Sequence, residues 1–111
     1  HEEVMQSIED KFVEKFRAII QNNLGNSELS VETISKEMGI SRAQLYRKIK
    51  TMTGISPNDI IREARLKRAD RLLETTDKSI SEIAYEVGFS SPSYFTKCYR
   101  EFFGRTPNKK H

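Results

Sequence analysis

Apolar residues in the first third of the chain recur at helical spacing. Met5, Ile8, Phe12, Phe16, Ile19 and Ile20 fall on one face, and Gly25-Asn26 stops the run. The pattern predicts an amphipathic helix that packs on the next elements of the chain. Its early turns lie within residues 1–10, which read as a linker or extension from an upstream domain, with a contact between copies as the other reading. Further along, Ser56-Pro57-Asn58-Asp59 opens a long helix running to about Leu73 or Glu74. Ile60, Ile61, Ala64, Ala69, Leu72 and Leu73 supply its buried faces. About 18 residues at 1.5 Å each make it roughly 27 Å long.

The apolar pattern around this long helix occurs twice. Val31-Glu32-Thr33-Ile34-Ser35-Lys36-Glu37-Met38-Gly39 aligns with Ile80-Ser81-Glu82-Ile83-Ala84-Tyr85-Glu86-Val87-Gly88 at an offset of 49. Leu45-Tyr46-Arg47-Lys48-Ile49-Lys50 aligns with Phe95-Thr96-Lys97-Cys98-Tyr99-Arg100 at an offset of 50, as do Gly54 and Pro57 with Gly104 and Pro107. One extra residue therefore enters the second copy between Gly88 and Ser91. Each copy reads as a short helix, a glycine turn and a second helix. Ser79-Ile80-Ser81-Glu82 and Ser41-Arg42-Ala43-Gln44 are capping boxes, and Ser91-Pro92 is an N-cap followed by proline at the first helical position. Gly39 and Gly88 end the first helix of each copy, where a left-handed residue lets the chain turn sharply.

Helix, glycine turn and capped helix make the helix-turn-helix signature, here in duplicate. The expected fold is all-α: two homeodomain-like helix-turn-helix subdomains over residues 11–55 and 77–111, joined by a linker helix over 56–76. Successive major grooves on one face of DNA lie about 34 Å apart, so a rigid spacer of this length would hold two reading helices near that separation.

Charge sharpens the picture. Residues 1–40 carry four basic and eight acidic side chains, a net of −4, whereas 41–111 carry fifteen basic and eight acidic, a net of +7. Such a split points to a polyanionic partner for the C-terminal two-thirds, and nucleic acid is the commonest. With 111 residues, 36% of them hydrophobic, the chain suits one compact domain or two small joined ones. No apolar run approaches the roughly 18–20 residues of a membrane span, and no membrane contact is expected. The acidic opening His1-Glu2-Glu3 is unlike a secretory n-region. The lone Cys98 excludes an internal disulfide and fits a reducing compartment, so the cytoplasm is the expected location. Because the chain starts without methionine, a longer natural protein is expected. Catalysis, metal and cofactors are not: the only histidines are His1 and His111, and neither a Cys/His metal spacing nor a glycine-rich phosphate loop is present.

In the second helix of the first copy, Leu45 and Ile49 are the apolar pair at four-residue spacing, so they face inward. The opposite stripe is Ala43, Tyr46, Arg47 and Lys50. Arg42, Arg47, Lys48 and Lys50 put four cations into nine residues with no acid among them. Arg47 is the leading base reader, because a guanidinium bridges guanine O6 and N7, with Ala43 and Tyr46 beside it. Gln44 could touch adenine but has a competing duty in the capping box. Arg42, Lys48 and Lys50 are assigned to phosphates. In the second copy Pro92, Ser93, Thr96 and Lys97 form the corresponding stripe, less basic and expected to give more contact with phosphates and thymine methyl groups than bidentate readout; Phe95 and Tyr99 point inward, and Ser91 and Arg100 fall to phosphates. Tyr94 and Phe89 are expected in the core rather than as stacking platforms, and Cys98 as an idle, partly buried thiol.

These residues resemble the DNA-binding domain of the AraC family of bacterial transcription regulators over about residues 10–108. The most specific stretch runs from Ile80-Ser81-Glu82-Ile83-Ala84 through Gly88-Phe89-Ser90-Ser91-Pro92-Ser93-Tyr94-Phe95 to Phe103-Gly104-Arg105-Thr106-Pro107. The first copy adds Leu45 to Lys50 and Gly54-Ile55-Ser56-Pro57. The resemblance implies seven helices, two reading helices in adjacent major grooves of promoter DNA, and contact with RNA polymerase through the parent protein, itself a candidate dimer. Its base-contacting stripe falls on Ala43, Tyr46 and Arg47, then on Pro92, Ser93, Thr96 and Lys97. Only Asn108-Lys109-Lys110-His111 follows Pro107, so the closing helix is expected to be short or absent. The first helix and its acidic approach look similar to versions fused behind phosphorelay receiver modules in hybrid sensor proteins. Two other readings stay open: a helical protein-interaction module, and the DNA-binding part of a repair or recombination protein.

Overall fold

The computed structural model describes residues 2–109, the side chains of Glu2 and Met5 excepted. Six helices and no strand occur among these residues: α1 (Glu2–Asn22), α2 (Val31–Met38), α3 (Arg42–Thr53), α4 (Pro57–Thr75), α5 (Ile80–Glu86) and α6 (Pro92–Phe103). They belong to two compact units. One takes the chain up to Asn23 together with Leu29–Ile61; the other takes Leu24–Glu28 and the chain from Arg62 onward. The long helix α4 thus contributes its first turn to one unit and the rest to the other.

In the first unit, α2 packs on α3 and α1 packs on both. Phe16, Ile34, Leu45 and Ile49 are fully buried, and Ile19, Ile20, Leu29, Val31, Ile60 and Ile61 are buried as well. Phe12 is half-buried and Ile8 is 60% exposed, so the apolar stripe of α1 does its packing only in the later turns. Ile8 falls in the early turns, within residues 1–10, where the helix extends beyond the elements available to cover it. Met5, named on the same stripe, lies outside the described side chains. Ser41 and Gln44 close the expected capping box on α3, Gln44 N–H donating to Ser41 Oγ at 3.1 Å and Ser41 N–H to Gln44 Oε1 at 3.0 Å. Ser30 and Thr33 form an equivalent box on α2 that the Glu/Gln form of the motif does not reveal. Gly39 (φ 72°) ends α2 in the left-handed region, its N–H donating to the Lys36 carbonyl.

The second unit is more aromatic. Leu66, Ala69 and Leu73 of α4, Ile83 and Ala84 of α5, Val87, Phe89, and Phe95, Cys98 and Tyr99 of α6 form one buried cluster. Leu66, absent from the expected core, joins Ala69 and Leu73 there at helical spacing, while Ala64 and Leu72 are only half-buried. Phe89, Phe95, Tyr99 and Phe103 follow one another edge to face or tilted, with centroids 5.2, 5.7 and 4.5 Å apart. Such geometry adds to area burial, since the positive ring edge meets the negative face. Cys98 is buried in this packing. The Ser79–Glu82 box caps α5 as expected. The helix closes on Val87, one residue earlier than expected, and Gly88 follows with φ 96°. A Cβ on Gly88 would stand 2.8 Å from Arg65 Nε and 3.1 Å from the Leu24 carbonyl, so both backbone sign and space require glycine there. No helix follows α6 among the described residues; Pro107 is nevertheless buried, and Lys109 Nζ donates to the Thr76 carbonyl beyond the end of α4.

Burial, followed by the hydrogen bond to Asp70 and its charge, pushes the Tyr99 phenol up to about 12. The neutral phenol is the form the folded state favours. Its stabilising contribution is present below an unfolded-chain value of about 10 and is lost as pH rises through about 12. Spectrophotometric titration should show one tyrosine ionising near 12, and Tyr99→Phe should remove that phase. If the phase survives in Tyr99→Phe, the assignment to this phenol is wrong.

Candidate nucleic-acid interface

The burial of Leu45 and Ile49 fixes which way α3 faces. Both are fully buried, and helical periodicity then turns Ala43, Tyr46, Arg47 and Lys50 outward; all four are exposed, Tyr46 at 47%. Arg42 is exposed on the first turn of the same helix. Lys48 is exposed as well, but its ammonium sits 5.3 Å from the centroid of the Phe12 ring, a cation–π contact that draws it toward α1. Gln44 has its carbonyl oxygen engaged in the cap, which is the local duty expected of it.

On α6 the buried pair is Phe95 and Tyr99, and the exposed side carries Ser93, Lys97 and Arg100. Pro92 and Thr96 are half-buried at its margin. Ser91 is half-buried and accepts the Tyr94 N–H on its Oγ at 3.2 Å, leaving the hydroxyl proton free to donate elsewhere. Phe89 is core, as expected. Tyr94 is not: it is 45% exposed and touches Phe89 only from outside, with centroids 5.8 Å apart. The reason is one of register, since Tyr94 immediately precedes the inward Phe95 and is turned about 100° from it. Tyr94 therefore adds an aromatic to the flank of the α6 stripe, in place of the core position expected for it.

One electrostatic feature separates these two helices from the others. The first turns of α2, α4 and α5 carry Glu32, Asp59 and Glu82, respectively, whereas those of α3 and α6 carry no acid. A helix N-terminus holds partial positive charge and ordinarily favours an acidic neighbour. Leaving it without one keeps both N-termini attractive to anions. The arrangement offers hydrogen-bond donors, cations and small apolar surfaces, and no group of three or more metal-ligating side chains gathers among the described residues. No described helix is long and apolar enough to cross a membrane.

Comparison with known proteins gives the family of the fold. A family model described as a helix-turn-helix domain matches residues 34–110. The chain is 44% identical over 105 residues to Histidine kinase P4 of Formosa agariphila, covering 95% of this chain and 8% of the kinase, so it corresponds to a small part of that protein's length. It is similar to a solved transcriptional regulator of the AraC-type DNA-binding-domain proteins from Chromobacterium violaceum, with a TM-score of 0.78 and 38% identity over 84% of this chain and 82% of that one. It is also similar to the DNA-binding domain of the global transcriptional factor AdpA, solved with a target DNA, with a TM-score of 0.78 and 32% identity over 83% of this chain and 82% of that one. With the family match spanning well over half its length and two capped helix-turn-helix units in its fold, the chain belongs to the AraC-type helix-turn-helix family of DNA-binding transcription regulators.

Proposed function

We propose that this chain is the DNA-reading end of a longer bacterial transcription regulator, with α3 and α6 as two recognition helices in adjacent major grooves of promoter DNA. The observation that carries this reading is the pairing, on α3 and α6, of an exposed polar stripe with an acid-free first turn. A protein-interaction module has no need to strip acids from two N-termini while keeping them on neighbouring helices. In this reading Ala43, Tyr46 and Arg47, then Pro92, Ser93, Thr96 and Lys97, meet base edges. Arg42, Lys48, Lys50, Ser91 and Arg100 hold phosphates. Residues 11–55 and 77–111 act as the two reading subdomains and α4, within 56–76, as their spacer, while residues 1–10 lead in from an upstream domain. RNA polymerase contact, dimer formation and a cytoplasmic site of action belong to the parent protein. The likeness to a histidine kinase supports a phosphorelay parent, in which the activating signal is a phosphoryl group carried elsewhere in the protein.

Titration of a bound duplex against this chain at several salt concentrations tests DNA binding first. Four phosphate-neutralising cations predict a log–log slope of about −3.6, at roughly −0.9 for each. A slope near zero, or no binding at low salt, would overturn the proposal. Arg47→Ala should lose roughly 1–3 kcal/mol, and only on duplexes that keep the base pair it reads. An equal loss on all duplexes would make Arg47 a phosphate contact instead.

Gln44→Glu separates folding from binding. The carboxylate preserves the capping box and complements the helix dipole, so the folded state should gain about 0.3–1 kcal/mol in urea unfolding. DNA affinity should fall by on the order of 1 kcal/mol, because the new charge faces phosphate across water. Affinity that rises with stability would contradict phosphate approach at the α3 N-terminus.

A further inference from the structure

The two copies differ most at the far end of their second helices. At an offset of 50, Ile49 and Ile55 of the first copy become Tyr99 and Arg105 of the second. Ile49 is fully buried and Ile55 half-buried, so the first unit holds the end of α3 with side chains that have no direction to their attraction. In the second unit the same two places converge on one carboxylate. Tyr99 Oη donates to Asp70 Oδ1 at 2.5 Å, and the Arg105 guanidinium donates to the same oxygen at 3.2 Å. Arg105 also lies over the Tyr99 and Phe103 rings, 5.6 and 5.1 Å from their centroids. Asp70 sits on α4, Tyr99 on the third turn of α6, and Arg105 just past the left-handed Gly104 that ends α6.

We propose that Asp70 is a positioning residue for α6, fixing the rotation of that helix about its axis through Tyr99 and Arg105 and thereby setting the base discrimination of Ser93, Thr96 and Lys97. The proposal rests on the reading of α6 as a recognition helix. Its physical basis is directional. Burial in an aromatic cluster settles which face of α6 turns inward, and a charge-assisted hydrogen bond between defined atoms adds a sharper angular preference than ring packing alone. Lys97 precedes Tyr99 by two residues and so projects from nearly the opposite side of α6. With side chains reaching about 5–6 Å from the axis, a turn of roughly 10° displaces their ends by about 1 Å. That is enough to take a hydrogen bond to a base edge out of its working range. Two attachments on one oxygen, one within α6 and one beyond its end, oppose rotation and sliding together. The site is only partly exposed, with the Asp70 and Arg105 side chains at 27% and 47%, so water weakens but does not replace the clasp.

The test uses this chain and a duplex selected by it from a random-sequence pool. Arg47→Ala, Thr96→Ala and Lys97→Ala, measured on single base-pair substitutions of that duplex, first locate the pairs discriminated by each helix. Failure of both α6 variants to change discrimination at any pair overturns α6 as a reader, and the positioning role with it. Where such pairs are found, Tyr99→Phe and Asp70→Asn should reduce discrimination at those pairs by on the order of three- to tenfold while leaving the Arg47-dependent pairs unchanged. The double variant should lose less than the sum of the single losses, since both act on the Tyr99–Asp70 hydrogen bond, although Asp70→Asn also weakens the pairing with Arg105. Unchanged discrimination at the α6 pairs, equal losses at both sets of pairs, or additive losses in the double variant would each overturn the positioning role. A merely structural contribution would lower affinity on every duplex alike. Should Asp70→Asn fail to fold, Tyr99→Phe keeps the ring in the core and decides the matter alone.

Discussion

Two side chains on each second helix decide what the rest of this molecule can do. Leu45 and Ile49 on α3, and Phe95 and Tyr99 on α6, are all fully buried one helical turn apart. Burying such a pair stabilises by about 1.5–3 kcal/mol per side chain and settles which face of a short helix turns inward. The outward stripe is a consequence of that facing. Ala43, Tyr46 and Arg47 need no device of their own to point outward, and neither do Ser93 and Lys97. The first helices of the two copies then serve mainly to close the cores from which the second helices project, through α2 on α3 and α5 on α6.

The two units reach this end by different means. The first is largely aliphatic, its fully buried side chains including Ile34, Leu45 and Ile49 besides Phe16. The second is built on a file of aromatic rings from Phe89 to Phe103 and adds a polar clasp at Asp70. Their outer surfaces differ in the opposite sense. The α3 surface is strongly cationic with no acid in the helix, whereas α6 has fewer cations and includes Glu101. A helix held to its duplex mostly by charge tolerates small errors of placement, because Coulomb attraction falls slowly with distance. On the proposed reading α6, which reads bases through short side chains such as Ser93 and Thr96, does not. On that reading the more directional attachment falls on the unit with the less forgiving surface.

Much of this is legible in the sequence because the relevant forces are local. Serine caps, the glycines after α2 and α5 and the inward pairs on α3 and α6 each depend on residues within four positions of one another, and the duplication lets each copy check the other. Sequence and structure part where the deciding partner is distant or where a rule is too narrow. Ser30–Thr33 escapes notice because the box usually ends in Glu or Gln, although a threonine hydroxyl accepts the same N–H. Ile8 follows the helical period of α1 faithfully, but period does not say where the covering elements stop. Tyr94 looks inward by its aromatic character, yet its register beside Phe95 already turns it out. The meeting of Asp70, Tyr99 and Arg105 spans up to 35 residues, and no local pattern announces it.

The acid-free first turns of α3 and α6 show where folding and function oppose each other. Each omitted carboxylate forgoes about 0.3–1 kcal/mol that the helix dipole would return. The fold accepts such groups readily elsewhere, as Glu32, Asp59 and Glu82 show. At α3 the compromise is visible in a single side chain: Gln44 supplies the oxygen that the capping box needs without the charge that a glutamate would bring. At α6 the compromise takes another form, with Ser91 capping alone and Pro92 removing one N–H that would otherwise need a partner. Neutral capping at the two helices whose stripes face outward, and charged first turns at the others, is the pattern expected where the approaching partner is itself an anion.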